Sequence, residues 1–284
     1  QTDVLKTIVY ADIFDYPLTE DEIWRFFISD TRVSKQVIGQ AIEKLKIIES
    51  KKGFYCLEKR KNIIDERINR KIYSKKKISI THKISSYISF IPTVSLIGIS
   101  GGLAMENANM DDDIDLFIVT KNDAVWLTRL LALFVFEVFG VRRKRGETKV
   151  SNKICLNMIV SEMHLSLPKA GRNLYTAHEV VQMKPIFDRG NMYKKFITAN
   201  RWVERFLPNA TVGINGKEVE TKKKQKISLL NVLEWFAKYL QLWYMSKHRT
   251  NQKIGDYMLA FYPFDYDKKI LKKYQEKLKK YQKI

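Results

Sequence analysis

Two aspartates at the start of an apolar segment are the residues of this sequence best suited to chemistry. Asp113 and Asp115 open the run DIDLFIV at 113–119. Because this run alternates like a β-strand, both carboxylates lie on one face of it. Their charges repel each other unless a cation neutralises them. Mg²⁺ or Mn²⁺ is the expected cofactor, since hard divalent cations bind carboxylate oxygens together with substrate phosphates.

A glycine pair, Gly101 and Gly102, precedes the aspartates. It follows a second apolar segment, VSLIGIS at 94–100. Glycines let bare backbone N–H groups approach phosphates closely. Ser100, Gly101 and Gly102 are therefore the predicted nucleotide-binding residues. Together with the aspartates they suit phosphoryl or nucleotidyl transfer with two metal ions.

This combination resembles the polymerase-β-like nucleotidyltransferase superfamily. The mark of that family is Gly-Ser or Gly-Gly followed, after a short segment, by Asp-x-Asp at the opening of a strand. Here Gly102 precedes Asp113 by eleven positions, and Asp112 and Ala104 fit the small positions of the pattern. The resemblance implies that Asp113 and Asp115 are catalytic metal ligands. It also implies transfer of NMP from an NTP to a hydroxyl group.

The family places a third carboxylate on a neighbouring strand, and the sequence departs from the pattern there. Alternation over 153–160 predicts Cys155, Asn157 and Ile159 on one face of the next strand. Asn157 aligns with the third carboxylate as a catalytic residue that orients the metals, although an amide carries no charge. Gly102 is a second departure, because many members have serine there. Two other carboxylates are alternative third ligands: Glu147 and Glu162.

Residues 1–60 carry the pattern of three helices followed by a β-hairpin. Thr19 and Glu22 form a capping-box signature, and another helix begins near Ser34. This order resembles a winged helix, which implies nucleic-acid contact through the third helix and the hairpin. A structural or protein-partner role is the alternative. The predicted contact residues are Lys35, Gln36, Gln40, Lys44, Lys51 and Lys52.

The chain after the aspartates begins with an apolar helix predicted over 124–140 and a basic turn. Arg142, Arg143 and Arg145 in this turn are expected to bind triphosphate or an RNA backbone, with an exposed basic turn as the alternative. Residues 166–284 read as helical, with helical spacing at 173–182, 193–206, 228–249 and 268–283. The aromatic stripe of the helix predicted at 228–249 is expected to lie in the core rather than to form a base-stacking platform.

Composition bounds the remaining possibilities. The chain has 284 residues, 45% hydrophobic and 29% charged, which excludes a wholly disordered chain. We expect an α+β protein with a winged-helix-like domain (1–60), a nucleotidyltransferase domain with a leading basic helix (61–165) and a helical domain (166–284). Two distant cysteines exclude a disulfide framework and fit a reducing cytoplasm. No segment is expected to cross a membrane.

The net charge of +20 makes nucleic acid the first partner to consider, with RNA favoured over DNA. The leading hypothesis is a Mg²⁺-dependent nucleotidyltransferase that acts on a nucleic-acid hydroxyl. A non-catalytic nucleic-acid-binding protein on a degenerate nucleotidyltransferase scaffold is the first alternative. Transfer of NMP to a protein or a small molecule is the second.

Overall fold

The protein is an α+β chain built on two β-sheets, as a computed structural model shows. Within the described residues, one sheet has three strands and the other has six. The prediction of an α+β class is confirmed at this level. The described residues are 2–121, 124–144, 146–214, 229–246, 253–261 and 265–282.

The first part of the chain contains three helices and the small sheet. Its strands pair antiparallel in the order β1-β3-β2. The hydroxyl of Thr19 accepts from the backbone N–H of Glu22, whose carboxylate accepts from the backbone N–H of Thr19, so the predicted capping box is confirmed. The elements are α1 (Thr2–Asp12), β1 (Leu18–Thr19), α2 (Glu20–Arg25), α3 (Lys35–Glu43), β2 (Ile48–Lys51) and β3 (Phe54–Leu57).

One long helix, α4 (Asn62–Ile88), runs from the small sheet to the large one. It has 27 residues, which at 1.5 Å per residue is about 40 Å. Near its start, the guanidinium of Arg67 binds the Glu22 carboxylate at 2.7 Å and lies over the ring of Tyr16. Further along, Lys77 is fully buried beneath the loop that leads to Asp113. One rigid element therefore supports both sheets.

The second sheet has the strand order β7-β4-β5-β6-β9-β8. β5 and β6 run parallel, and their neighbours pair antiparallel. The elements are β4 (Val94–Ile99), α5 (Gly101–Ala104), β5 (Ile114–Thr120), α6 (Val125–Val138), β6 (Ile154–Ser161), α7 (Leu174–Gln182), β7 (Lys184–Asp188), α8 (Met192–Ala199), α9 (Leu229–Ser246), β8 (Lys253–Ile254), β9 (Met258–Ala260) and α10 (Tyr266–Gln282).

The prediction of a helical region from residue 166 onward is wrong in three places. β7, β8 and β9 all join the large sheet. β7 holds Pro185, which cannot donate to a neighbour, and an edge position tolerates it. β8 and β9 have two and three residues, too few to show alternation. The predicted helix ends at Arg249 and Lys283 lie outside the described residues.

The large sheet is covered by helices on both faces. Leu96, Phe117 and Val160 pack in a cluster with α1, α2, α3, α7, α8 and α10. Ile97, Ile118 and other residues pack on the opposite face with α4, α6 and α9. The basic helix α10 docks through Tyr274 and its apolar neighbours, as its amphipathic pattern predicts.

Helix α9 presents its aromatic residues to solvent, which corrects the prediction of a core stripe. Trp235 is 60% exposed and Trp243 is 66% exposed. The helix packs on α6 through its narrow face, where Ala237 and Gln241 are buried. The periodicity was correct, but Ala237 and Gln241, rather than the aromatic residues, mark the buried side. Among the described residues, no helix has the length and apolarity that crossing a bilayer requires.

Candidate functional site

The two aspartates and a cysteine meet at the N-terminal ends of the central strands β5 and β6 of the large sheet. Asp113 directly precedes β5, Asp115 is its second residue, and Cys155 lies opposite Asp115 in the parallel register with β6. One potential ligand atom from each residue lies within 4.8 Å of the others. The structure therefore forms a three-residue group that could hold a metal ion.

A β-bulge follows the Asp115–Cys155 pair in the register between β5 and β6. Leu116 pairs with Leu156 but Phe117 pairs with Met158, so Asn157 is the extra residue. The amide of Asn157 donates to the Ser100 hydroxyl at 3.4 Å.

The predicted alternation is wrong beyond this bulge. Ile159 was expected beside Cys155 and Asn157, but it packs in the core on the opposite face of the sheet. The inserted residue reverses the facing of every later side chain. Cys155 precedes the bulge, and the register pairs it, rather than Asn157, with Asp115.

Gly101 brings backbone against the carboxylate of Asp115. Its φ of +64° lies in the left-handed region, and a Cβ at this position would lie 3.3 Å from Oδ2 of Asp115. The backbone N–H of Ser100 donates to the Asp115 carbonyl at 3.0 Å. Glycine is required here for conformation and for space. The structure thus unites Ser100, Gly101 and Asp115, as the sequence pattern predicts.

The Asp115 carboxyl is largely buried among other acids. Burial, followed by the charges of Asp113 and Glu179, raises the pKa of Asp115 to about 7. Arg143 opposes this rise. A buried carboxylate beside a second one is the environment in which a bound cation relieves the most repulsion.

Arg143 provides a positive charge at the pair. Its guanidinium forms an ion pair with the Asp113 carboxylate. Arg142 lies in the same turn and pairs with Glu137 at 3.3 Å. Arg145 lies outside the described residues. The structure therefore brings Arg143 to the site directly, and its predicted contact with triphosphate or an RNA backbone stays a prediction.

Cys155 is a poor ligand for a hard cation. Burial, with the charges of Asp115 and Asp113, raises the pKa of its thiol to about 12. The thiol is therefore protonated at neutral pH, whereas metal binding requires the thiolate. The two carboxylates fit Mg²⁺ or Mn²⁺, and Cys155 completes the wall of the site without charge.

Glu179 on α7 is a site residue that the sequence analysis missed. Burial raises the pKa of its carboxyl to about 7, and a hydrogen bond from Tyr175 opposes the rise. Glu179 lines a cavity of about 410 Å³ that also contacts Gly101, Gly102 and Asp112. Its neighbours over 177–181 on α7 are mostly buried, which only the structure shows.

Lys77 is a second residue that the sequence analysis missed, because it ends a run of three lysines that reads as solvated surface. Its ammonium group donates to the carbonyls of Met110 at 3.0 Å and Asp112 at 2.5 Å. It also donates to the Asn152 side chain at 3.3 Å. Lys77 thereby joins the loop before β5 to the loop before β6, and it positions the first residues of both strands.

The residues of the first 60 positions that were predicted to contact nucleic acid do not lie beside the glycine pair. Lys35 pairs with Asp21 at 2.5 Å, and Lys51 and Lys52 pair with Asp65 at 2.6 and 3.4 Å. Their charges are therefore partly neutralised. Gln36 and Gln40 are exposed on α3, and Lys44 is exposed directly after it. In the described structure, none of these residues lines the cavity beside the glycine pair.

Comparisons with protein-family models, with curated proteins and with solved structures find no match to this chain. The resemblance to nucleotidyltransferases consequently stays a prediction. Function must be inferred from the residues of the site, since a fold by itself does not define one.

Proposed function

We propose that the protein is a Mg²⁺-dependent nucleotidyltransferase that transfers NMP from an NTP to a hydroxyl group of a nucleic acid, with RNA favoured. One observation carries this proposal. Asp113 and Asp115 converge at the start of β5, and the backbone of Gly101 lies directly against the Asp115 carboxylate. A cation at the carboxylates and a phosphate at the glycines would then be neighbours, which is the arrangement that phosphoryl chemistry needs.

In this proposal, Asp113 and Asp115 hold the metal through their carboxylate oxygens. The bound ion supplies positive charge to the phosphate oxygens during transfer. Arg143 exchanges its contact with Asp113 for a phosphate, since guanidinium binds either anion. Asn157 supports the Ser100 hydroxyl rather than replacing a third carboxylate.

The cavity of about 410 Å³ beside the glycine pair is the proposed nucleotide site. Its volume falls in the usual range for small-molecule sites. Tyr175 and Tyr266 supply aromatic surface for a base, while Gly101 and Gly102 supply backbone for phosphates. In the reaction, the acceptor hydroxyl oxygen bonds to the α-phosphorus, pyrophosphate leaves, and the hydroxyl proton passes to a carboxylate of the site.

A specific observation favours one alternative, a nucleic-acid-binding protein without catalysis. A thiol rather than a carboxylate faces Asp115 across the two parallel strands. Arg143 already neutralises Asp113, so the folded protein needs no cation there. In this alternative, the +20 charge binds nucleic acid while the carboxylates serve structure.

The deciding experiment is transfer of label from each α-labelled NTP, with Mg²⁺ or Mn²⁺, to RNA, DNA or total protein. We expect label in RNA with the wild type, and none with Asp113→Asn. Asp111→Asn is the matched control, because it removes one exposed carboxylate nearby that is outside the three-residue group. Transfer of label to protein would show that the acceptor is a protein rather than RNA. RNA binding without any label would support the non-catalytic alternative.

A further inference from the structure

A groove of about 950 Å³ is lined by Cys155 but by neither residue of the glycine pair. It is bounded by α6, the start of β6, α9 and Phe261. Four cationic side chains line it against two carboxylates, so its net charge is positive. This cationic groove contains Arg129, Arg142, Arg143, Lys144, Glu137 and Glu147.

Arg129 is the unusual residue of the cationic groove. Its Nη1 donates to the Gln241 side chain at 2.5 Å, and its guanidinium lies over the Phe261 ring at 4.8 Å. Its Nε is buried without a hydrogen-bond partner. In the described part of the chain, no carboxylate pairs with this guanidinium. Burying a cation without a counter-charge is costly.

The neighbours of Arg129 do not supply the missing negative charge. Arg142 and Lys144 share the carboxylate of Glu137. Burial, and then the charge of Arg142, lowers the pKa of Arg129 to about 10, so the guanidinium is still charged at neutral pH. The folded protein therefore holds a charged, half-buried guanidinium without a counter-charge in the lining of the groove.

We propose that the cationic groove binds the phosphate backbone of a single-stranded acceptor nucleic acid, with one phosphate on Arg129. This inference rests on the proposed function, since it places the acceptor beside Asp115. The groove has more than twice the volume of the glycine-pair cavity and is open to solvent, which suits a strand rather than a mononucleotide. Tyr244, 62% exposed, lines the groove and offers a ring for base stacking.

Binding is measured by anisotropy of a labelled single-stranded oligoribonucleotide, without metal or NTP, over a series of salt concentrations. Arg129→Gln should weaken binding by about tenfold to a hundredfold. It should also reduce the slope of log affinity against log salt by about 0.7, the value for one phosphate on a single strand. Lys194→Gln, which removes one exposed positive charge on α8, should change neither quantity comparably.

Arg142→Gln is the second variant, because Arg129 also supports Gln241 and its loss could unfold the chain. Like Arg129→Gln, it should lower both the affinity for the oligoribonucleotide and the slope of log affinity against log salt. A melting curve identifies any unfolded variant. Retained affinity and slope in the folded variants would overturn the inference. Full competition by a mononucleotide or by inorganic phosphate would also overturn it. If the oligoribonucleotide binds in the groove but no label is transferred from NTP, the proposed function is refuted and the inference about the groove stands.

Discussion

The ammonium group of Lys77 lies 2.5 Å from the backbone carbonyl of Asp112, although the lysine side chain is only 1% exposed. Burial lowers the pKa of Lys77, and nearby aspartates oppose the change. The lysine thus neutralises part of the acidic loop from beneath, while Arg143 does so from the solvent side. Two cations on opposite sides of the loop allow the aspartates to converge without a metal.

Lys77→Met should destabilise the protein by about 2–4 kcal/mol, because it leaves buried carbonyls without donors. Lys76→Met is the matched control, since Lys76 is an exposed neighbour on the same helix. Urea unfolding of both variants measures the difference. Equal stabilities would mean that water or another donor satisfies the loop carbonyls when Lys77 is absent.

Asp115→Asn should make the metal-free protein more stable at neutral and alkaline pH. The pKa of Asp115 rises from its ordinary value of 3.8 to about 7 in the folded state. Between these values the folded state holds a proton that the unfolded state releases, so the free energy of unfolding falls as pH rises through this window. The Asp115→Asn variant has no carboxyl to titrate at this position, so it does not lose this part of the free energy of unfolding as pH rises.

We expect Asp115→Asn to exceed the wild type by about 2–4 kcal/mol at about pH 8 in EDTA, and to match it at about pH 4. Unfolding in denaturant at both pH values measures this. Asp111→Asn should show no such pH-dependent gain, because Asp111 is exposed. A variant that is less stable than the wild type at the higher pH would contradict the assignment of Asp115 as a repelled carboxylate.

Gly101→Ala should lower both stability and divalent-metal affinity. A left-handed φ costs an alanine about 1–2 kcal/mol, and the new Cβ would crowd Oδ2 of Asp115. Gly190→Ala is the matched control, because Gly190 also has a left-handed φ, of +70°, but has open space around the added carbon. Calorimetric titration with Mn²⁺ should therefore show weakened binding for Gly101→Ala alone, while both variants melt earlier.

Arg143→Gln should tighten metal binding in the absence of nucleotide. Arg143 competes with a cation for the Asp113 carboxylate, and removing its charge also reduces repulsion of the metal. We expect a gain on the order of three- to tenfold at low salt. Lys144→Gln serves for comparison, since Lys144 pairs with Glu137 instead. Weaker metal binding by Arg143→Gln in the calorimeter would contradict the interpretation that Arg143 competes with the metal for Asp113.

Cys155→Asp should add a third carboxylate directly opposite Asp115. Without metal, the added repulsion should lower the melting temperature. With Mg²⁺ it should raise metal affinity, because a carboxylate is a better ligand for a hard cation than a thiol. Asn157→Asp should do less of both, since Asn157 is displaced by the bulge and contacts Ser100. A larger effect at position 157 would show that the bulge is misplaced.

Sequence reasoning predicted the local features well. The capping box at Thr19 and the start of a helix near Ser34 depend on neighbours within a few positions, where spacing is informative. It failed where distant segments decide the outcome. The bulge at Asn157 reversed the facing of β6, and the edge of a sheet converted a segment with Pro185 into a strand.

The charged residues show the same limit. Lys77 looks like its exposed neighbours in sequence, yet a loop more than thirty positions away buries it. Glu179 reaches the glycine-pair cavity because α7 lies across the sheet face that carries Asp115. Nothing local in either segment separates a site residue from a solvated charge.

The exposed aromatic residues of α9 give ionic strength two opposite effects on this protein. At low salt, a net charge of +20 keeps molecules apart through mutual repulsion. At about 1 M salt the screening length falls to about 3 Å, and that repulsion is lost. Apolar contact between the side chains around Trp235 and Trp243 then dominates. Under the proposed function, the salt that releases nucleic acid would therefore also favour self-association of the protein. We expect an intermediate ionic strength to give a dispersed, nucleic-acid-free sample.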